Sequence, residues 1–561
     1  MENLFWLVTL LIITQLSIGY AFRSKTPEQY YSRLLPKKGL TMSLRNLSST
    51  RQKKAPATSK NVRKKKPAWS KRGTSSEKRT AQDGGDDDVF FPDAGSDSII
   101  DGDSFSLPSI EAPKIEGSSG SIECPHFKTC SGCQYDSNLH AVPIALDAKG
   151  FCDMYKTPDA EPFKVHVGAA TGWRTQAKLA AGAVGRWGGC SLGLYEARSH
   201  DVVPIPDCAV HHPAINAAAA ALRAATKRCK LQAYNNWTGE GLLRYAQLAV
   251  ERATGRVQLT LVWNTEDFKA SVPFLQLLVK DLKKREPELW HSIWANFRTG
   301  PGNTIFNNDP RKWHLCHGPP LMGETVGPQN IRFFLSPQSF RQGNLDAFSK
   351  LVERIDPWVP EGARICELYS GVGIIGLNMA HKAEWVRCSD ISPSIPRSFE
   401  KTVAALGDPA LARRVSYLDL SAEDALAFGE AEDATVLVVD PPRKGLGEGV
   451  LRRLADPEDP DTGDLERLIY VSCGFDAFKG DALALVDGGG WELVHAEGHI
   501  LFPGSDHIET LAIFDRQKKK GQKNGRGGGD RRKSSGRGGR NGSSNNKQQY
   551  RLEDEENDFY Y

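Results

Sequence analysis

The chain has 561 residues, enough for two or three domains with sizeable hydrophobic cores. Its net charge of +4 conceals strong segregation, because basic runs lie at both ends and an acidic run lies at 83–103. Eleven cysteines are scattered rather than evenly paired, which argues against a disulfide framework and favours metal ligands, a catalytic thiol and buried thiols.

The first 80 residues predict a targeting presequence in two parts. An apolar run at 4–18 is too short for a comfortable membrane span, and small residues follow it at Gly19 and Ala21, where a signal peptidase reads. We therefore predict a signal peptide at 1–21. An uncleaved anchor is the alternative, because positive charges follow the run and none precede it. Residues 22–80 are rich in Ser, Thr, Lys and Arg and nearly free of acids, the composition of a transit peptide.

Together the two segments resemble the bipartite presequence of algae with complex plastids, in which Phe22 would follow the cleavage point. We predict a plastid location, with the mitochondrion or the endoplasmic reticulum as alternatives, and no stable membrane association once the presequence is removed. Residues 81–120, rich in Asp, Gly and Ser, predict a disordered acidic linker.

Three cysteines, Cys124, Cys130 and Cys133, stand close together at the start of the predicted folded part. Their C-x5-C-x2-C spacing can hold one face of a metal centre, so a fourth ligand must come from elsewhere. Cys208 is the best candidate because two prolines stiffen its loop, and Cys152 is the alternative. An all-sulfur set fits either tetrahedral zinc or an iron–sulfur cluster.

The region 121–345 predicts a β-rich domain that faces a substrate. A hairpin is indicated around Thr254-Gly255, and an Ala-rich helix is predicted at 214–225. Short runs that alternate apolar and polar residues predict the strands: 173–177, 193–200 and 243–263. Four cationic side chains could contact phosphates, although an ordinary solvated charge is the simpler interpretation of each: Arg174, Lys178, Arg198 and His200.

The region 346–516 predicts a doubly wound, Rossmann-like α/β sheet. A strand leads through Gly371-Val-Gly373 into a helix, and such a glycine loop lets a nucleotide-like ligand approach the backbone. A plain strand–helix turn is the alternative for so short a motif. Asp390, at the end of the next strand, can accept hydrogen bonds from both hydroxyls of a ribose.

Two further strands end in residues that can carry chemistry. Asp440 follows the run ATVLVV and precedes a rigid Pro-Pro turn, and Cys473 follows LIYVS before a glycine. Ligands of open α/β sheets bind beyond the carboxyl ends of the strands. We therefore expect the carboxylate and a nucleophilic thiol on one rim of the sheet.

The last segment, 517–561, is rich in Lys, Arg and Gly and has too few apolar residues to fold, so it predicts a disordered tail. Its Arg-Gly pattern resembles RNA-binding tails, in which cations neutralise phosphates. A solubilising tail is the alternative.

Six motifs occur in the order seen in the RNA uracil-5-methyltransferases that contain an iron–sulfur cluster: CPHFKTCSGC, FRQGN, ELYSGVG, VVDPPRKGL, YVSCG and HIETLAIF. This resemblance covers 124–514. It implies a monomer that uses S-adenosylmethionine to methylate carbon 5 of a uridine in ribosomal or transfer RNA. Its methyltransferase domain would follow an iron–sulfur and RNA-binding region.

The resemblance also implies roles for individual residues. The implied ligands of a 4Fe–4S cluster are Cys124, Cys130, Cys133 and Cys208. The implied contacts to S-adenosylmethionine are Gln342, Tyr369, Asp390 and Asp440, beside the glycine loop of Gly371 and Gly373. Cys473 matches the nucleophile and Glu509 the general base.

Uracil chemistry explains why a thiol and a carboxylate are both needed. A thiolate that adds to carbon 6 makes carbon 5 nucleophilic, and a base must then remove the carbon 5 proton. The target base must also leave its helix. One alternative is an amino-group methyltransferase, whose DPP motif wants an aromatic residue where this chain has Arg443. The other is a non-catalytic RNA-binding iron–sulfur protein, against which Cys473 and Glu509 argue.

Overall fold

A computed structural model describes residues 114–116, 120–185, 188–300, 302 and 304–517. The predicted signal peptide, transit-peptide segment and basic tail, and nearly all of the acidic linker, lie outside these residues. No helix in the described part of the chain has both the length and the apolar character needed to cross a membrane.

The described residues form strands that belong to two large sheets and one hairpin. In chain order the strands are β1 (Lys114–Glu116), β2 (Lys164–Val167), β3 (Gln176–Ala183), β4 (Cys190–Tyr195), β5 (Val202–Pro204), β6 (Leu243–Glu251), β7 (Arg256–Trp263), β8 (Trp290–Phe297), β9 (Trp313–His317), β10 (Met322–Val326), β11 (Ile331–Leu335), β12 (Arg364–Leu368), β13 (Trp385–Ser389), β14 (Val415–Leu418), β15 (Val436–Val439), β16 (Arg467–Ser472), β17 (Trp491–Ile500) and β18 (Glu509–Arg516).

Helices connect these strands and cover the sheets. In chain order they are α1 (Pro143–Tyr155), α2 (Pro213–Arg228), α3 (Phe268–Ser271), α4 (Phe274–Arg285), α5 (Leu345–Ile355), α6 (Ile374–Met379), α7 (Pro396–Ala405), α8 (Pro409–Ala412), α9 (Ala422–Phe428), α10 (Glu448–Ala455) and α11 (Phe475–Asp487).

The larger sheet confirms the predicted doubly wound α/β fold. Its order is β1-β2-β17-β18-β16-β15-β12-β13-β14. The neighbours from β16 to β14 are parallel, and β18 runs antiparallel to both β16 and β17. Strand β15, VLVV, is buried at every position, as expected for a parallel strand that is covered on both faces.

The alternation of side chains along the central strands divides the hydrophobic core into two layers. Leu437 and Val439 of β15 face the layer that includes α9, α10 and α11. Val436 and Val438 face the layer that includes α5, α6 and α7. Because period-2 side chains point to opposite faces, one apolar strand supplies both layers.

The smaller sheet has the order β5-β4-β3-β6-β7-β8-β9, antiparallel except between β7 and β8. Its β6–β7 pair confirms the hairpin predicted around Thr254-Gly255. Helices α2 and α4 pack on one face of the sheet. Helix α2 is longer than predicted and begins at a proline, where the His212 side chain accepts the N–H of Ala214.

Two predicted strands have different bounds in the structure. The run 173–177 becomes a strand only from Gln176, because Arg174 pairs outside the sheet with His211. The run 193–200 is strand only as far as Tyr195. Beyond it a turn closes by the hydrogen bond from Glu196 N–H to the carbonyl of Asp201, which ends the strand.

Candidate active site

The glycine loop after β12 keeps its backbone open towards a ligand. Tyr369, Gly371 and Gly373 all have positive φ angles, of 57°, 51° and 76°. A Cβ at Gly373 would stand 2.8 Å from the Phe399 ring, so only glycine fits there. A Cβ at Gly371 would meet nothing within 4 Å, so this glycine borders open space.

Asp390, directly after β13, fixes this loop. One carboxylate oxygen accepts the N–H of Gly371 at 3.0 Å, and the other accepts the N–H of Ser392 at 2.9 Å. Each oxygen keeps a second lone pair for a ligand hydroxyl. The predicted acid thus stands against the glycine loop.

Asp440 lies beyond the end of β15, half-buried and close to Asp390. Burial and the charge of Asp390 raise the pKa of Asp440 to about 7. Tyr369 donates its hydroxyl to the carbonyl of Leu446. Gln342 is buried between β11 and α5, and no hydrogen bond among the described residues joins it to the other predicted cofactor contacts.

Cys473 and Glu509 meet at the same rim as Asp440. Strands β16 and β18 are antiparallel with Ser472 opposite Thr510, so Cys473 lies beside the first residue of β18, Glu509. The Cys473 thiol is half-buried, 3.8 Å from the carbonyl oxygen of Pro441. A Cβ at Gly474 would stand 2.2 Å from the carbonyl of Arg443, so a glycine is needed where the two rim loops touch.

Burial and charge both hold protons at this pair. Burial, then the charges of Glu509 and Asp440, raise the pKa of Cys473 to about 12. Burial, then Asp440, raise the pKa of Glu509 to about 8. Glu509 is 6% exposed, and its Oε2 has no hydrogen-bond partner among the described residues. A buried carboxylate with an unused oxygen is suited to accept a proton from a ligand.

The four predicted metal-ligating cysteines line one cavity of about 150 Å³. Burial, then Cys208 and Cys130, raise the pKa of Cys133 to about 12, so these thiols are near neighbours. Of the described residues, no three of these sulfur atoms lie within 4.8 Å of one another. Cys152, the alternative ligand, is buried in α1 and does not line the cavity.

Comparison with known proteins assigns the family. No family model matches the chain. An uncharacterized RNA methyltransferase of Protochlamydia amoebophila is 36% identical over 403 residues, which cover 70% of this chain and 98% of that protein. The chain belongs to this RNA methyltransferase family. An uncharacterized RNA methyltransferase of Halalkalibacterium halodurans is 26% identical over 72% of this chain and 85% of its own length.

A solved structure supports the fold of the methyltransferase. The crystal structure of the Pyrococcus abyssi tRNA (uracil-54, C5)-methyltransferase in complex with S-adenosyl-L-homocysteine has a TM-score of 0.50. The likeness covers 65% of this chain and 81% of that one at 20% identity. The similarity confirms the architecture on which the rim residues stand.

Two residues of the methyltransferase lie near its candidate sites: Arg174, which the sequence suggested only as a possible phosphate contact, and His507, which the sequence analysis did not single out. Arg174 stacks its guanidinium 4.7 Å from the Trp173 ring and 5.5 Å from the Phe502 ring. It faces the cysteine cavity, where its charge offsets a small part of the rise that burial causes in the pKa of Cys133. Burial, then the charges of Arg443 and Arg174, lower the pKa of His507 to about 4. His507 therefore lies close enough to both arginines to feel their charges.

Two further buried carboxylates of the methyltransferase also escaped prediction. Glu367 of β12 accepts the N–H of Gly376 at 2.9 Å, and burial raises its pKa to about 8. Glu497 of β17 accepts hydrogen bonds from the Nε2 atoms of three histidines and from the Nε and Nη2 atoms of Arg354. These histidines are His166, His495 and His499. The sequence does hold one local signal for Glu367, which is an acidic residue among the apolar residues of β12. The Glu497 network has no such signal, because it depends on the pairing of strands that are distant in the sequence.

Proposed function

We propose that this RNA methyltransferase transfers a methyl group from S-adenosylmethionine to carbon 5 of a uridine in RNA. The observation that carries the proposal is the Cys473 thiol beside the buried carboxylate of Glu509, whose Oε2 has no partner in the part of the chain that the structure describes. An amino-group methyltransferase would need neither a nucleophilic thiol nor a base held beside it.

The glycine loop and its two aspartates fit S-adenosylmethionine. Gly371 leaves space for a ligand, Asp390 keeps lone pairs for ribose hydroxyls, and Asp440 borders the same rim. The solved relative named above binds the demethylated cofactor. When bound, S-adenosylmethionine supplies an electrophilic methyl group on sulfur.

Cys473 opens the proposed reaction on the RNA. The Cys473 thiol gives its proton to solvent, and the thiolate adds to carbon 6 of the uracil. Carbon 5 of the resulting enolate attacks the methyl group, whose bond to sulfur breaks and leaves S-adenosylhomocysteine. Glu509 then takes the carbon 5 proton, the carbon 5–carbon 6 double bond re-forms, and the bond from sulfur to carbon 6 breaks. The target base must leave its stack to reach this rim, at a cost of about a few kcal/mol.

The proposal is tested by the identity of the product. Unmodified ribosomal and transfer RNA transcripts are incubated with methyl-labelled S-adenosylmethionine and then digested to nucleosides. We expect the label in 5-methyluridine. Label in a base methylated on nitrogen would replace this proposal with the amino-group alternative.

The last proton transfer gives the reaction a pH dependence. Glu509 must be ionised to accept the carbon 5 proton, and its pKa is raised to about 8. The decay of the methylated adduct should therefore become about tenfold faster for each unit by which the pH rises towards 8, and should level off above it. Quenched-flow measurement from pH 6 to 9.5 checks this, and a flat profile would remove Glu509 from the step.

The cysteine cavity fits a 4Fe–4S cluster better than zinc. A tetrahedral zinc with bonds of about 2.3 Å would bring its sulfur ligands to within about 4 Å of one another. The sulfur atoms here are spread more widely around about 150 Å³. Cys124, Cys130, Cys133 and Cys208 would hold the cluster.

Exchange of one sulfur ligand tests the cluster. Anaerobically purified protein should contain about four irons and absorb broadly in the blue. Cys208→Ser should lose most of that iron, whereas Cys152→Ser, which changes a buried thiol in α1, should keep it. Stoichiometric zinc without iron would contradict the assignment. The plastid location and the choice between ribosomal and transfer RNA stay predictions from sequence.

A further inference from the structure

Two buried arginines lie together at one end of the smaller sheet. Arg244 belongs to β6 and Arg298 directly follows β8. Strands β6 and β8 lie on either side of β7, and both arginines are next to Trp263 at the end of that strand. Leu243, the neighbour of Arg244, is the register partner of Trp263, and the N–H of Arg298 donates to the Trp263 carbonyl. Arg244 is only 3% exposed and Arg298 only 7%. Burial of two cations is costly unless anions compensate them.

No anion of the described chain compensates this pair. Arg244 donates to the carbonyl of Gly300 at 2.7 Å. Arg298 donates to the carbonyl of Gly302 at 3.0 Å and to the hydroxyl of Thr304 at 2.8 Å. Among the described residues, no carboxylate oxygen lies within 4.0 Å of either guanidinium group.

One other arginine of the described chain is as buried as this pair, and it has a carboxylate partner. Arg341, equally inaccessible, lies 3.1 Å from the carboxylate of Glu324. Burial lowers the pKa of Arg298, and the charge of Arg244 lowers it further because the two cations repel each other. The Nε of Arg244 and the Nη1 of Arg298 are also buried without an acceptor among the described residues. Within that part of the chain, two charges and two N–H donors therefore lack a counterpart.

Tyrosines surround the pair. The Tyr234 ring stacks 4.0 Å from the guanidinium of Arg244. The hydroxyls of Tyr195 and Tyr245 lie 3.0 Å apart, and both rings are close enough to act on the charge of Arg298. Guanidinium forks with nearby hydroxyls are the donors that bind a tetrahedral oxyanion.

We propose that Arg244 and Arg298 bind a phosphodiester of the RNA that this enzyme methylates. The inference rests on the proposed function and adds a contact at a distance from the chemistry. The pair adjoins the cysteine loop, since Ser131 donates its hydroxyl to the carbonyl of Tyr195 at 2.8 Å. Gly300, whose carbonyl accepts from Arg244, borders open space, because a Cβ there would meet nothing within 4 Å.

An exposed aromatic side chain suits the same occupant. Tyr234 leads into a turn in which Asn235 accepts the N–H groups of Trp237 and Thr238. Trp237 is 89% exposed. A base next to the bound phosphate can stack on such a ring, which is how proteins hold unpaired nucleotides. The RNA would therefore be single-stranded where it crosses this end of the sheet.

Salt-dependent RNA binding tests the arginine pair. The full-length protein carries Cys473→Ala, so that binding is measured without turnover, and the probes are transfer and ribosomal RNA transcripts. Arg244→Gln and Arg298→Gln should each weaken binding about tenfold. Each should also reduce the slope of log K against log salt by about 0.7, the value for one phosphate contact on a single strand. Arg298→Lys should keep the slope and lose part of the affinity, because lysine has the charge without the fork.

Arg256→Gln is the matched control, because Arg256 belongs to the same sheet but already lies 2.5 Å from Glu288. It should change neither affinity nor slope, and circular dichroism should show all variants folded. Wild-type affinity and slope in both glutamine variants would overturn the proposal. So would arginine-dependent stabilisation by inorganic phosphate together with unchanged RNA binding, which would mark a site for free phosphate. If the Cys473→Ala parent itself binds neither RNA, the proposed function fails as well.

Discussion

Glu509→Gln is expected to trap the methyltransferase on its RNA as a methylated, covalent adduct. Glutamine keeps the shape of the buried side chain but cannot accept the carbon 5 proton. Cys473 can still add and the methyl group can still move, so the reaction stops before sulfur is released. Loss of a general base typically costs about 100- to 10,000-fold in rate. On denaturing gels, methyl label should migrate with the protein.

Cys473→Ala should fail at the opposite end of the reaction. Without the thiol no enolate forms, so neither adduct nor methylated RNA should appear. Cys316→Ala, which removes a half-buried thiol from β9, is the matched control and should retain activity. Wild-type turnover by Glu509→Gln, or methylation by Cys473→Ala, would refute these roles.

Glu497→Ala should have the largest effect on stability. The Glu497 side chain is 1% exposed and joins Arg354 of α5 to histidines of β2 and β17. Its removal leaves a partly buried guanidinium without its anion. Breaking a fully buried pair costs about 3–5 kcal/mol, and because the Arg354 side chain is 37% exposed we take the lower end of that range. We expect a loss of that order in the free energy of unfolding, measured by urea titration of tryptophan fluorescence under anaerobic conditions.

The difference in stability between Glu497→Ala and the wild type should depend on pH in a defined direction. Burial alone would raise the pKa of Glu497, but hydrogen bonds from the three histidines and Arg354 outweigh it and hold the pKa well below its ordinary 4.5. The stabilisation is therefore fully present above pH 4.5 and is lost as the pH falls further. The deficit of Glu497→Ala should shrink in that range. Glu492→Ala, at an exposed position of β17, should cost little at any pH.

Local patterns predicted the methyltransferase sheet well. Apolar β-branched runs located β15 and β16, and the glycines located the loop before α6. These features depend on neighbouring residues alone. The bounds of β3 and β4 were less accurate, because Arg174 and Glu196 form hydrogen bonds that no periodicity encodes.

The candidate sites were predictable to a different degree. Strand ends predicted that Asp440 and Cys473 share a rim, because parallel strands place their carboxyl ends together. The sequence left Cys208 and Cys152 both open as the fourth ligand, and the cavity distinguishes them. Arg244 and Arg298 gave no local signal, since three strands must pair before they meet.

The addition of β2 to the edge of β17 has a consequence for how the chain folds. His166 of β2 and Glu497 of β17 are 331 positions apart, so this edge cannot form until almost the whole chain is available. Such pairing has a high contact order and folds slowly. Until it forms, β17 presents an unpaired edge on which another chain can add a strand. The step most exposed to misassembly is thus the last one, when the two ends of the folded region join.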